Sequence, residues 1–133
     1  MRFFVDTDVL LDVVLERKPH FADSSRVLDW AEAHPGAAAV SWHGMANLHY
    51  LSKDGAEDII REILEFMELP RVGRSQMQEA LSMGMPDLED AMQVATALAF
   101  GAQWIVTRNI RDYRLSPIKA IRPMDFVTLL PHP

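Results

Sequence analysis

Apolar positions along this chain follow two periods. Short unbroken runs occur in "RFFVD", "AAAVS" and "QWIVT", each stopped by a polar residue, and they predict buried strands. "PRVG" and "KAIRP" are the weaker strand candidates. Between them the spacing turns helical. "VLLDVVLER" ends before the helix-breaking Pro19, and "FADSSRVLDWAEAH" sets Phe21, Leu28 and Ala31 on one face before "PG" at 35–36. "WHGMANLHYLSK" and "DGAEDIIREILEFMEL" follow, the latter with an apolar stripe of Ile59, Ile60, Ile63, Leu64 and Met67. "SQMQEALSMG" and "DLEDAMQVATALAFG" are two more helices, with Gly101 as a C-cap, and "MDFVTLL" is a last short one. Short strands alternating with helices predict an α/β fold, a three-layer α/β/α sandwich around a parallel sheet of four to five strands.

Composition narrows the class. The 133 residues are expected to form one domain, 1–133, large enough for a proper core. Hydrophobic residues at 49% and charged residues at 24% exclude a disordered chain. With no cysteine, disulfides, thiolate metal sites and cysteine nucleophiles are excluded. The opening apolar run is too short for a signal peptide and no stretch is long enough to span a membrane, so the expected location is the cytoplasm. A net charge of −6 disfavours contact with phosphates, yet Arg108, Arg111, Arg114, Lys119 and Arg122 oppose only Asp112 between residues 108 and 122.

In parallel α/β sheets, ligands bind beyond the carboxyl ends of the strands, where the strand order reverses. The polar residues at those ends are Asp6 and Asp8, Ser41, and Thr107 and Asn109. Two carboxylates closing one buried strand repel each other and resist desolvation. "PDLEDAMQ" adds Asp87 at an N-cap position and Asp90 one turn later, a pattern that helix capping and the helix dipole also explain. "TRNIRDY" adds Asp112. Carboxylates gathered from several segments call for a cation, and hard oxygen donors select Mg2+ or Mn2+.

These segments resemble the PIN-domain nucleases, which include the toxins of many bacterial toxin–antitoxin pairs. The resemblance rests on "FFVDTDVLLDVV", on "DLEDAMQVATALAFGAQWIVTRNIRDY" and on the closing "PMDFVTLL". It implies a metal-dependent ribonuclease with Asp6, Asp90 and Asp112 as catalytic metal ligands and Asp87 as an auxiliary. Asp8, Thr107 and Asn109 would shape the pocket, and Arg108, Arg111 and Arg114 would meet the RNA backbone. A small antitoxin and a homodimer are the implied partners. One position departs from the family pattern: Asn47 stands where a mid-chain acid is usual. An amide can ligate a metal but brings no charge, so weaker binding is expected unless Asp87 compensates.

Two alternatives stand beside this reading. A PIN-like protein could bind RNA or a partner without cutting, for which Asn47 is the main argument. A phosphatase of the haloacid-dehalogenase type would use "VDTDVLLD" as its nucleophile motif and needs a lysine, for which Lys53 in "SKDG" is the candidate. His43 and His49 lack metal-ligand spacing and read as helix-surface residues. Ser41 has no patterned triad partners. Trp30, Trp42 and Trp104 read as packing residues, with Trp42 near enough to the proposed edge to stack a base.

Overall fold

In a computed structural model, residues 1–52 and 54–131 are described. Four short strands, β1 (Phe3–Val5), β2 (Ala38–Ala39), β3 (Trp104–Val106) and β4 (Lys119–Ile121), form one fully parallel sheet in the order β2-β1-β3-β4. Alternate residues of each strand supply opposite faces. Phe3, Val5 and Val106 enter one core cluster, while Phe4 and Ile105 enter the other. Both faces are covered, which is why the strands read as unbroken apolar runs.

On the first face lie α1 (Thr7–Val14), α2 (Phe21–Ala33), α3 (Trp42–Ser52), α4 (Ala56–Leu64) and α7 (Pro123–Leu129), whose apolar residues join the cluster of Phe3 and Val5. The second face is covered by α6 (Leu88–Phe100), with α5 (Arg74–Ser82) packed against it. This is the expected α/β/α sandwich. Gly101 ends α6 at φ +78°, the left-handed conformation that glycine adopts without strain. Among the described residues, no helix is long and apolar enough to cross a membrane.

Local expectations fail where neighbours override pattern. "PRVG" forms no strand; pairing there is a single bridge, Ala39 to Glu68, just before Pro70 removes a donor. The inner face of α2 is Ser24, Val27 and Ala31, with Phe21 and Leu28 only half-buried. Leu64 lies on the open side of α4, whose stripe continues through Ile63 to Met67.

The start of α3 is fixed by a close approach. Ser41 Oγ accepts the Gly44 N–H at 2.9 Å, as a capping serine does. A Cβ on Gly44 would stand 2.6 Å from Ser41 Oγ and 2.7 Å from Thr7 Oγ1, so only glycine lets α3 lie against α1. Gly44→Ala should therefore cost about 1–3 kcal/mol of overpacking. Urea unfolding checks this: an unchanged midpoint would mean that α3 shifts freely.

Candidate functional site

The sheet order reverses between β1 and β3, which are hydrogen-bonded neighbours with Val5 opposite Val106. The next residue of each strand is therefore delivered to the same point, and those residues are Asp6 and Thr107. Asp6 occupies the N-cap position of α1, yet its side chain makes no capping bond. It accepts instead from Thr107 Oγ1 at 2.8 Å, Tyr113 Oη at 2.9 Å and Gln93 Nε2 at 3.1 Å. Three neutral donors thus hold one carboxylate in place.

Asp8 lies one residue into α1. Its Oδ2 accepts from the Asn109 amide at 3.0 Å and the Arg108 backbone N–H at 3.1 Å, with Thr107 Oγ1 at 3.3 Å. The single hydroxyl proton of Thr107 serves Asp6, the shorter contact. Asp8 Oδ1 is buried without a partner.

Helix α6 brings the second acidic group. Asp87 caps it, its Oδ1 accepting from Glu89 N at 2.8 Å and Asp90 N at 3.4 Å. A cleft of about 420 Å³ is lined by Asp6, Asp8, Asn47, Glu89, Asp90 and Asn109 among others. Asp87 and Asp112 are not in that lining. Asp87 is exposed at the cap, and Asp112 is exposed on a short 3-10 turn, Ile110–Tyr113. Asp112 still acts on the cleft through its charge. Burial, then the charges of Asp87, Asp6, Asp112 and Glu89, push the Asp90 carboxyl up to about 7. Burial and the Asp6 charge likewise push Asp8 up to about 7, against the pull of the Arg108 backbone N–H and guanidinium. Burial and the same carboxylate hold the Tyr113 phenol far above its ordinary range, so it remains a donor.

Several of these groups are poorly signalled in the sequence. Gln93 is buried at 1% exposure within the apolar run of α6, where only its polarity marks it. Tyr113 reads as an ordinary aromatic residue. Glu89 reads as a helix-dipole acid, yet its Oε1 accepts from Asn47 Nδ2 at 3.0 Å. His43 is half-buried rather than on the helix surface; burial lowers its pKa, and its Nε2 has no partner. Trp42 is 71% exposed at an apolar pocket of about 300 Å³, so it is no packing residue. Trp30 does pack, with its ring 5.7 Å from that of Phe3.

The basic stretch divides in two. Arg108 turns inward, its Nε 2.7 Å from Asp12 Oδ2, and Asp12 is fully buried, also accepting from Ser24 Oγ at 3.1 Å. That pair ties the loop after β3 to α1 and α2. Arg111, Arg114, Lys119 and Arg122 instead line an open groove of about 550 Å³ that has no acid in its lining. Tyr113 belongs to that lining as well, so one side chain borders the groove and donates to Asp6.

The donor chemistry of the cleft suits a hard divalent cation: oxygens predominate, four of the lining side chains are carboxylates, and one buried carboxylate oxygen is unpartnered. Among the described residues, however, no three Asp, Glu or His side chains are already spaced to hold one ion.

The sequence profile of the PIN domain matches residues 2–111. The chain belongs to the PIN-domain family. Solved structures with this PIN fold include a toxin–antitoxin complex from Klebsiella pneumoniae, at 23% identity and TM-score 0.69. DNA-bound VapBC from Salmonella typhimurium is similar at 16% identity and TM-score 0.70. Each comparison covers 92% of this chain and 98% of the other. No curated protein matches the chain in sequence. Family membership displaces the phosphatase alternative, whose lysine, Lys53, lies outside the described residues.

The raised carboxyls make a pH test available. A folded Asp90 keeps a proton that the unfolded chain loses near pH 3.8, so its contribution to stability falls as pH rises from about 4 to 7. Asp90→Asn removes that loss. In metal-free protein, the stability of the variant relative to wild type should rise by about 1–2 kcal/mol between pH 4 and pH 8, discounted for solvent access. A difference that stays flat with pH, measured by denaturant unfolding, would contradict the electrostatic picture.

Proposed function

We propose that this PIN domain is a divalent-metal-dependent ribonuclease, the toxin of a toxin–antitoxin pair. The observation that carries the reading is the convergence of Asp6, Asp8 and Asp90 on one cleft at the strand-order reversal. Asp6 and Asp90 would hold Mg2+ or Mn2+, with Asp112 contributing charge from the rim and Asp87 occupied at the helix cap. Once bound, such an ion supplies Lewis acidity toward a phosphodiester oxygen and makes water a better nucleophile. The protein supplies the rest. Thr107, Tyr113 and Gln93 fix the orientation of Asp6, as supporting hydrogen bonds do for metal ligands generally.

The substrate must be a polyanion reaching an acidic cleft, so cations are needed on the way in. Arg111 and Arg114, with Lys119 and Arg122, suit flanking phosphates, whereas Arg108 is engaged with Asp12. A small antitoxin partner is supported by the toxin–antitoxin complexes among structures with the same fold. A second reading, binding of RNA or a partner without cleavage, draws on the lack of three ready-spaced ligands among the described residues. Repulsion between ion-free carboxylates accounts for that spacing equally well.

The two readings part in a cleavage assay on single-stranded RNA with Mg2+ or Mn2+. Cleavage that chelator abolishes, and that Asp6→Asn lowers by about 10²-fold or more, is expected. RNA retained but uncut with either ion would favour the binding protein. Full activity of Asp6→Asn would remove Asp6 from the metal site.

A further inference from the structure

Asn47 stands where the family resemblance leads one to expect an acid, and its side chain contacts one. Asn47 sits on α3 and Glu89 in the first turn of α6, 42 residues apart in sequence, and both line the acidic cleft. The Asn47 amide donates to Glu89 Oε1 at 3.0 Å, so the position that would have carried a carboxylate now grips one. Asp87 does not line the cleft and turns its Oδ1 to two backbone N–H groups of α6, whereas Glu89 is part of the lining.

We propose that Glu89 supplies the cleft's displaced carboxylate toward the divalent ion and that Asn47 is its positioning residue. This rests on the metal-dependent reading of the cleft. With the amide on α3 and the carboxylate on α6 in contact, the cleft keeps a carboxylate at this point. Two consequences are specific. A glutamate at position 47 beside Glu89 would set two carboxylates against each other in place of a donor–acceptor pair. Exchanging the two together would restore both the charge and the hydrogen bond.

The free oxygen chemistry fits this role. Glu89 uses Oε1 toward Asn47, and its side chain is otherwise exposed at the cleft mouth, open to an ion or to water. Its charge is already felt within the cleft, where it contributes to raising Asp90 and pulls on His43.

Calorimetric titration of Mn2+ into the purified chain tests this without relying on activity. Wild type should bind, and Glu89→Gln should weaken binding by about tenfold, the scale of one charge-assisted contact. Asn47→Ala should weaken it less, because Glu89 remains but is unguided. The exchange variant, Asn47→Glu with Glu89→Gln, should return to within about threefold of wild type, a rescue that damage to the fold could not produce. Wild-type affinity in Glu89→Gln, or an exchange variant no tighter than Glu89→Gln alone, would overturn the proposal while leaving the metal site standing. No Mn2+ binding by wild type at millimolar concentration would overturn the metal reading and this proposal together.

Discussion

Repulsion among carboxylates that the backbone forces together is the constraint on which this structure turns. Asp6 is placed by the end of β1, Asp8 by the first turn of α1, and Glu89 and Asp90 by the first turn of α6. Their backbone positions cannot separate without breaking a strand pairing or a helix start. Burial first, and then the neighbouring carboxylates, raise Asp8 and Asp90, and neutral donors around Asp6 moderate the repulsion without removing charge. An apolar site of the same volume would be more stable. That the fold keeps an unfavourable charge cluster is the physical reason to assign it a function, since strained electrostatics collect where a protein acts.

Holding the cluster requires a stiff surround. The loop after β3 carries Thr107, Arg108 and Asn109, and each has a fixed partner: Asp6, Asp12 and Asp8. Asp12 is buried and Arg108 partly so, and removing either partner would leave a charge uncompensated, so the pair holds the loop to α1. Gly44 plays the complementary part on α3, where the absence of a side chain lets Thr7 and Ser41 approach. The same approach brings Asn47, one turn later, to the cleft.

The sheet and most helices were legible because burial on both faces leaves an unmistakable apolar run, and because Pro19 and Gly101 punctuate the helices. Asp6, Asp8 and Asp90 were legible for a related reason: a charge that ends a buried strand or opens a helix needs an explanation. The residues that were not legible act across the fold. Nothing in "HGMANLHY" says that Asn47 reaches Glu89, and nothing in "TRNIRDY" says that Arg108 faces inward while Arg111 faces out. Asp12 was a missed signal, an acid inside "VLLDVV" that could only be buried with a partner. "PRVG" failed as a strand because Pro70 opens it without an N–H donor, and pairing stops at the Glu68 bridge before it.

If carboxylate repulsion is what a bound cation relieves, the relief is measurable as stability. Thermal unfolding of the purified chain near pH 7.5 should be followed first in chelator and then over a titration of Mg2+ or Mn2+ at constant ionic strength. A saturable rise in Tm is expected, reaching about 2.7 kcal/mol of added stability at a hundred times the dissociation constant. A Tm unmoved by either ion, or raised equally by sodium chloride, would contradict it.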